Sequence, residues 1–195
     1  FKKRPAALGY VIALGHGLLT KKEVVLLKNS NGVIKSDPKK DVLKAVVMER
    51  VSGRGKPVVG FVRGFGLKSG AFGGSIGQVC QHVVVVGCDD ADIAAVIDMI
   101  RKKQGGIFFA LDGKVVSGVT LPVGGIMSSD RFEKTVSALE EMERGLRKNG
   151  VKLRSPYLAL SLQITLAAIP ELKLTNRGLL DVNRKEFLNP VVGMN

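Results

Sequence analysis

Apolar positions along this chain recur in two rhythms, and these divide it into strands and helices. Gly9 to Leu14 and Glu23 to Leu27 flank a loop at Gly15 and Gly17, and both read as short strands. Asn29 to Pro38 is dense in turn formers and reads as a surface loop. Val42 to Val51 fits either period, and its valines favour a strand. Val58 to Val62 and Val83 to Val86 are continuously apolar, as strands buried on both faces must be. Ile93, Val96, Ile97 and Ile100 then follow the helical period. Asp89 and Asp90 suit the positive start of that helix, and Arg101 to Lys103 suit its end before Gly105.

Downstream, Ile107 to Leu111 and Lys114 to Val119 flank Asp112-Gly113, a hairpin signal. Asp130 and Glu133 have capping-box spacing for a helix to Lys148, which Asn149-Gly150 stops. Ser155-Pro156 opens a last apolar helix that ends before Pro170, and Asn176 to Gly178 reads as a turn. Hairpins mixed with crossover-length helices predict an α+β fold: a mixed, largely antiparallel β-sheet layered with α-helices, in one domain over residues 1–195.

Gly64 to His82, GFGLKSGAFGGSIGQVCQH, lies between the two most apolar strands. A phosphate loop would need Lys directly after its second glycine, whereas Leu67 separates Gly66 from Lys68. The dinucleotide spacing fails too, with Gly70 one residue late. The segment therefore reads as a turn that shapes the sheet, with Phe61, Phe65 and Phe72 as core residues. Cys80 and His82 would share one strand face, but no third group orients them for nucleophilic chemistry. Cys80 and Cys88 are too few to hold a metal. Both read as buried thiols.

Composition adds two constraints. No apolar run reaches the ~20 residues of a membrane span, so no membrane partner is expected. Two cysteines build no disulfide framework, which fits an intracellular, cytoplasmic or mitochondrial, location. No secretory signal opens the chain, and its first residue, Phe1, fits a chain trimmed, processed or given in part.

The charge is more telling. Residues 1–70 carry fifteen Lys and Arg against four acidic residues, whereas residues 71–195 carry fifteen against thirteen. That asymmetry is either a solvated basic surface or a surface for a polyanion. On the second reading Lys39, Lys40, Lys44, Arg54, Lys56, Arg63 and Lys68 form the anion-binding set. Its partner is RNA backbone or an acidic protein, contacted for position rather than sequence.

The order of five segments carries a resemblance. GFVRGFGLKSGAFGGSI, VVVVG with the acidic helix start, LDGKVV, LPVGGIMSSD and IPELKLTNRGLLDV together resemble the C-terminal domain of bacterial and archaeal adenine deaminases, from about Val11 to Phe187. That resemblance implies the same α+β fold. It also implies an amidohydrolase barrel ahead of the domain, whose binuclear divalent metal site converts adenine to hypoxanthine and ammonia. With only His16 and His82, this chain cannot supply such a site itself, so no cofactor is expected in it. The family pattern after Ser75-Ile76 is close to AHDSHN. Here its histidine positions fall on Gln78 and Gln81, its aspartate on Val79 and its asparagine on His82.

Two functions remain open, and the lost polar segment together with the basic first 70 residues favours the first. The first is a non-catalytic domain derived from the enzyme that binds RNA or an assembly, such as an organellar ribonucleoprotein. The second is the C-terminal part of a metal-dependent adenine deaminase, with catalysis on residues outside this chain.

Overall fold

A computed structural model describes residues 6–52, 55–77 and 81–192. Nine strands form one sheet: β1 (Ala6–Leu14), β2 (Thr20–Ser30), β3 (Val33–Lys35), β4 (Val42–Met48), β5 (Val58–Arg63), β6 (Ala71–Gly74), β7 (Val83–Gly87), β8 (Gly106–Leu111) and β9 (Lys114–Thr120). Their spatial order is β3-β2-β1-β5-β4-β7-β6-β8-β9. Only β1 and β5 run parallel, so the sheet is mixed and largely antiparallel, as the pattern predicts.

Strand period separates the two faces. One face carries Ile12, Val62, Leu43, Val84, Phe72 and Phe109, packed with Met142 and Leu146 of α2 (Phe132–Lys148). The other carries Val46, Val83, Val85 and Phe108 beneath Ile93, Val96 and Ile100 of α1 (Asp90–Lys103). The central strands β4 and β7 contribute to both layers, which explains the unbroken valine run of β7. A second, three-stranded antiparallel sheet, β10 (Leu172–Thr175), β11 (Gly178–Asp181) and β12 (Glu186–Leu188), adds Leu172, Leu174 and Leu179 to the first layer.

The structure revises four expectations. Within Asn29 to Pro38 lie the end of β2 and all of β3, because Asn31 and Gly32 close a tight hairpin with positive φ. The glycine-rich segment contains a fully buried strand, β6, paired with both β7 and β8. Its small residues hide strand propensity. Helix α2 starts at Phe132 behind Arg131, with no side-chain cap, because the Asp130 carboxylate pairs with Lys134 at 2.7 Å. The last apolar segment is one turn, Pro156–Leu158, that widens into a π turn over Ala159–Gln163 and stops far short of Pro170.

At the start of α1 the acidic pair acts as expected. The Asp89 carboxylate caps the helix by accepting from Asp92 N–H at 2.9 Å. Asp92 itself is buried and accepts from Gly113 N–H at 2.7 Å. Burial first, then nearby Asp89 and Asp112, push its carboxyl up to about 6. The native state therefore holds the proton more tightly than the unfolded chain, and stability falls as pH rises between the ordinary carboxylate range and about 6. Asp92→Asn keeps an acceptor for Gly113 and removes the buried charge. It should stabilise the fold by about 1–2 kcal/mol at pH 7 and by almost nothing at pH 4, read from urea unfolding at both pH values.

Candidate functional site

The stretch where the chain departs from the family pattern lies in the connection from β6 to β7, and the described residues at its two ends are held by their surroundings. Ser75, fully buried, donates its hydroxyl to Gly125 O at 2.5 Å and accepts from Gly106 N–H at 2.9 Å. Tyr157 donates its hydroxyl to Ile76 O at 3.1 Å, and burial raises its phenol. Arg50, at the end of β4, bridges two loops: Nε donates to Gln81 O at 2.9 Å and Nη1 to Gly124 O at 2.5 Å. A guanidinium suits this task because its planar fork reaches two carbonyls at once. Beside it the Glu49 carboxylate accepts from the N–H groups of Val51 and Ser52, which, led by the Ser52 hydroxyl, lower its pKa.

This end of the sheet is thus a cluster of four connections, after β4, β6, α1 and β9, tied by side chain to backbone bonds. Gln81 Oε1 and His82 Nδ1 are buried there without a partner among the described residues. Gln78, Val79 and Cys80 lie outside the described residues, so of the four positions aligned with the family's His/Asp/His/Asn pattern only Gln81 and His82 are described. Among the described residues no group of three or more His, Cys, Asp and Glu side chains could hold a metal ion.

Cys88 lies at the other end of β7. Burial foremost, then Asp89, Asp92 and Asp41, push its thiol up to about 12, and it donates to Leu67 O at 3.4 Å. Such a thiol is inert at neutral pH. Phe61, Phe65 and Phe72 are core residues, as expected.

The basic set is distributed over several elements. Lys39 and Lys40 stand on a short 3-10 turn and line an open concavity of about 450 Å³ with Lys28. Lys44 is paired with Asp90, which also receives Lys35 at 3.1 Å. Arg63 is paired with Glu23 at 2.7 Å. Lys56 precedes β5 and Arg63 ends it, so the length of a strand separates them. Lys68 packs beside Gly150, after α2, and Arg54 lies outside the described residues.

Sequence reasoning missed two residues. Asp41 holds the glycine turn by accepting from Gly64 N–H at 2.9 Å and Gly66 N–H at 2.8 Å. Lys173 is fully buried in β10, and its ammonium donates to Gln163 O at 2.7 Å and Leu18 O at 3.1 Å. Burial pulls it down to about 8. In the sequence it looks like the solvent-facing position of an alternating strand.

The family model described as the adenine deaminase C-terminal domain matches residues 17–186. An adenine deaminase of Dehalococcoides mccartyi (strain CBDB1) is 42% identical over 165 residues, covering 85% of this chain and 29% of that protein. One from Clostridium botulinum (strain Langeland) is 39% identical over 163 residues, 84% of this chain and 27% of the relative. One from Desulfatibacillum aliphaticivorans is 39% identical over 159 residues, 82% and 28% respectively. The chain spans less than a third of the length of these relatives.

Proposed function

The chain belongs to the adenine deaminase C-terminal domain family, and from that premise we propose that it is the C-terminal part of an adenine deaminase. The single observation that carries this reading is the match over nearly the whole chain to proteins that all bear that name. The competing expectation, an RNA-binding or ribonucleoprotein subunit, finds no counterpart among these relatives, and bacterial relatives lend no support to a mitochondrial setting. Ion pairing also engages part of the basic set within the chain: Arg63 with Glu23, and Lys44, together with Lys35, with Asp90. Among the described residues no helix is long and apolar enough to cross a membrane.

On this reading hydrolysis of adenine takes place on residues outside these 195. Metal-activated water and its proton shuttle need a ligand set that the described residues do not offer. What this chain supplies is a rigid scaffold. At its sheet end Ser75, Tyr157 and Arg50 tie the described ends of the β6–β7 connection, at Ser75, Ile76 and Gln81, to the neighbouring loops.

Two assays test the reading. The purified chain should release no ammonia from adenine with any divalent metal supplied. A chimera in which it replaces the matching third of the Dehalococcoides mccartyi enzyme should fold and deaminate adenine. Metal-dependent turnover by the chain alone, or a folded chimera without activity, overturns the proposal.

A further inference from the structure

The connection after β9 has an unusual combination of rigid backbone and exposed apolar side chains. Val123, Ile126, Met127 and Phe132 are between 37% and 78% exposed. They cannot turn inward, because the backbone between them is fixed from several sides. Val123 and Met127 pair with each other, N–H to carbonyl, at 3.2 and 3.1 Å. Leu121 N–H donates to Gly105 O at 3.2 Å. The carbonyls of Gly124 and Gly125 receive Arg50 and Ser75. Gly125 has φ +73°, and a Cβ there would meet Arg50 Nη1 at 2.1 Å, so the bracing depends on glycine. Ser128 then ties the loop to the first turn of α2, where its hydroxyl meets that of Thr135 at 3.3 Å.

A chain with no partner gains nothing by holding apolar side chains in water with this many bonds. Exposed apolar patches on a fixed backbone are the signature of a surface that is covered in the assembled protein. Methionine and aromatic residues are enriched in the buried centres of such surfaces.

We propose that Val123, Ile126, Met127 and Phe132, beside the β6–β7 connection, are the face that docks onto the polypeptide its full-length relatives carry outside the matched region. The occupant follows from length: these relatives hold more than two thirds of their chain outside the segment that this one matches. The place follows from geometry: Arg50 and Ser75 join this loop to the β6–β7 connection, so docking here sets that connection against the same partner. This inference rests on the proposed function. The β1–β2 strands also expose apolar residues, Leu8, Val24 and Leu26, but these lie on plain sheet with no bond linking them to the β6–β7 connection.

Cysteine labelling separates the two faces. Met127→Cys and Leu26→Cys, whose parent side chains are 56% and 58% exposed, are each placed in a Cys80→Ser, Cys88→Ser background. A maleimide is reacted with each variant, both as the isolated chain and within the Dehalococcoides mccartyi chimera. Docking should slow labelling at position 127 by about tenfold or more in the chimera and leave position 26 unchanged, because the centre of an interface is desolvated. Equal rates at 127 in both contexts, or protection at 26 instead, overturn the proposal. Deaminase activity of the same chimera judges the functional reading separately: an active chimera with unprotected 127 sinks the docking face alone.

Discussion

Gly70→Ala should cost this fold about 3 kcal/mol or more, whereas Gly113→Ala should cost only about 1 kcal/mol. Both glycines adopt left-handed backbone, with φ +85° and +73°. Their surroundings differ. A Cβ on Gly70 would lie 2.4 Å from Ala110 O and 2.9 Å from the Phe109 ring, both in the buried strand β8. On Gly113 it would meet nothing within 4 Å. The second substitution therefore measures backbone strain alone, and the first adds a clash with a core strand that cannot yield without disturbing its pairing to β6. Gly70 also accepts Cys88 N–H at 2.9 Å, so any shift spreads into β7. Urea midpoints of the two variants decide the matter, and equal losses would show that the clash is relieved by local movement.

That contrast shows what the sequence reveals and what it hides. Strands buried on both faces announce themselves, since the run Val83 to Val86 is apolar at every position and feeds both layers. Helix α1 announces itself by period, α2 by its stop at Asn149-Gly150, and the hairpin at Asp112-Gly113 by its turn residues. Strand β6 is hidden because Ala71, Gly73 and Gly74 carry no strand propensity. Its identity comes from neighbours on both sides, including Val85, which a Cβ on Gly73 would meet at 2.6 Å. The capping box at Asp130 misleads because an exposed Lys134 competes for the carboxylate. The candidate site is legible in place but not in construction. Ser75 and Arg50 act through carbonyls of Gly124, Gly125 and Gln81, and hydrogen bonds to distant backbone leave no pattern in a sequence.

The basic N-terminal third teaches a related lesson. Net charge is a property of composition, but a binding surface needs free cations on one face. Asp90 accepts both Lys35 and Lys44, and Glu23 accepts Arg63, so two carboxylates engage three of these cations. These pairs are exposed enough to contribute little to stability.

Lys173 is the residue whose behaviour should depart most from its appearance in sequence. The stability difference between wild type and Lys173→Met should shift by up to about 3 kcal/mol in favour of wild type between pH 8 and 10.5, a comparison in which the opposing titration of the buried Cys88 thiol cancels. The sign follows from the direction of the shift. Burial lowers the ammonium from the ordinary 10.5 to about 8. Between these values the unfolded chain holds a proton that the native state has released, so raising the pH favours folding. Below 8 both states are protonated, and the native state bears the full cost of a buried charge whose described acceptors are the carbonyls of Leu18 and Gln163. The amine keeps its hydrogen-bonding capacity after losing the proton, so the two carbonyls remain partnered at high pH. Methionine removes the charge but also the donors, and leaving buried carbonyls bare costs about 1–3 kcal/mol each. The two proteins should therefore be close in stability at pH 7 and diverge in favour of wild type as the pH climbs to 10.5. Parallel curves of unfolding free energy against pH would show that the ammonium is not desolvated in the native state.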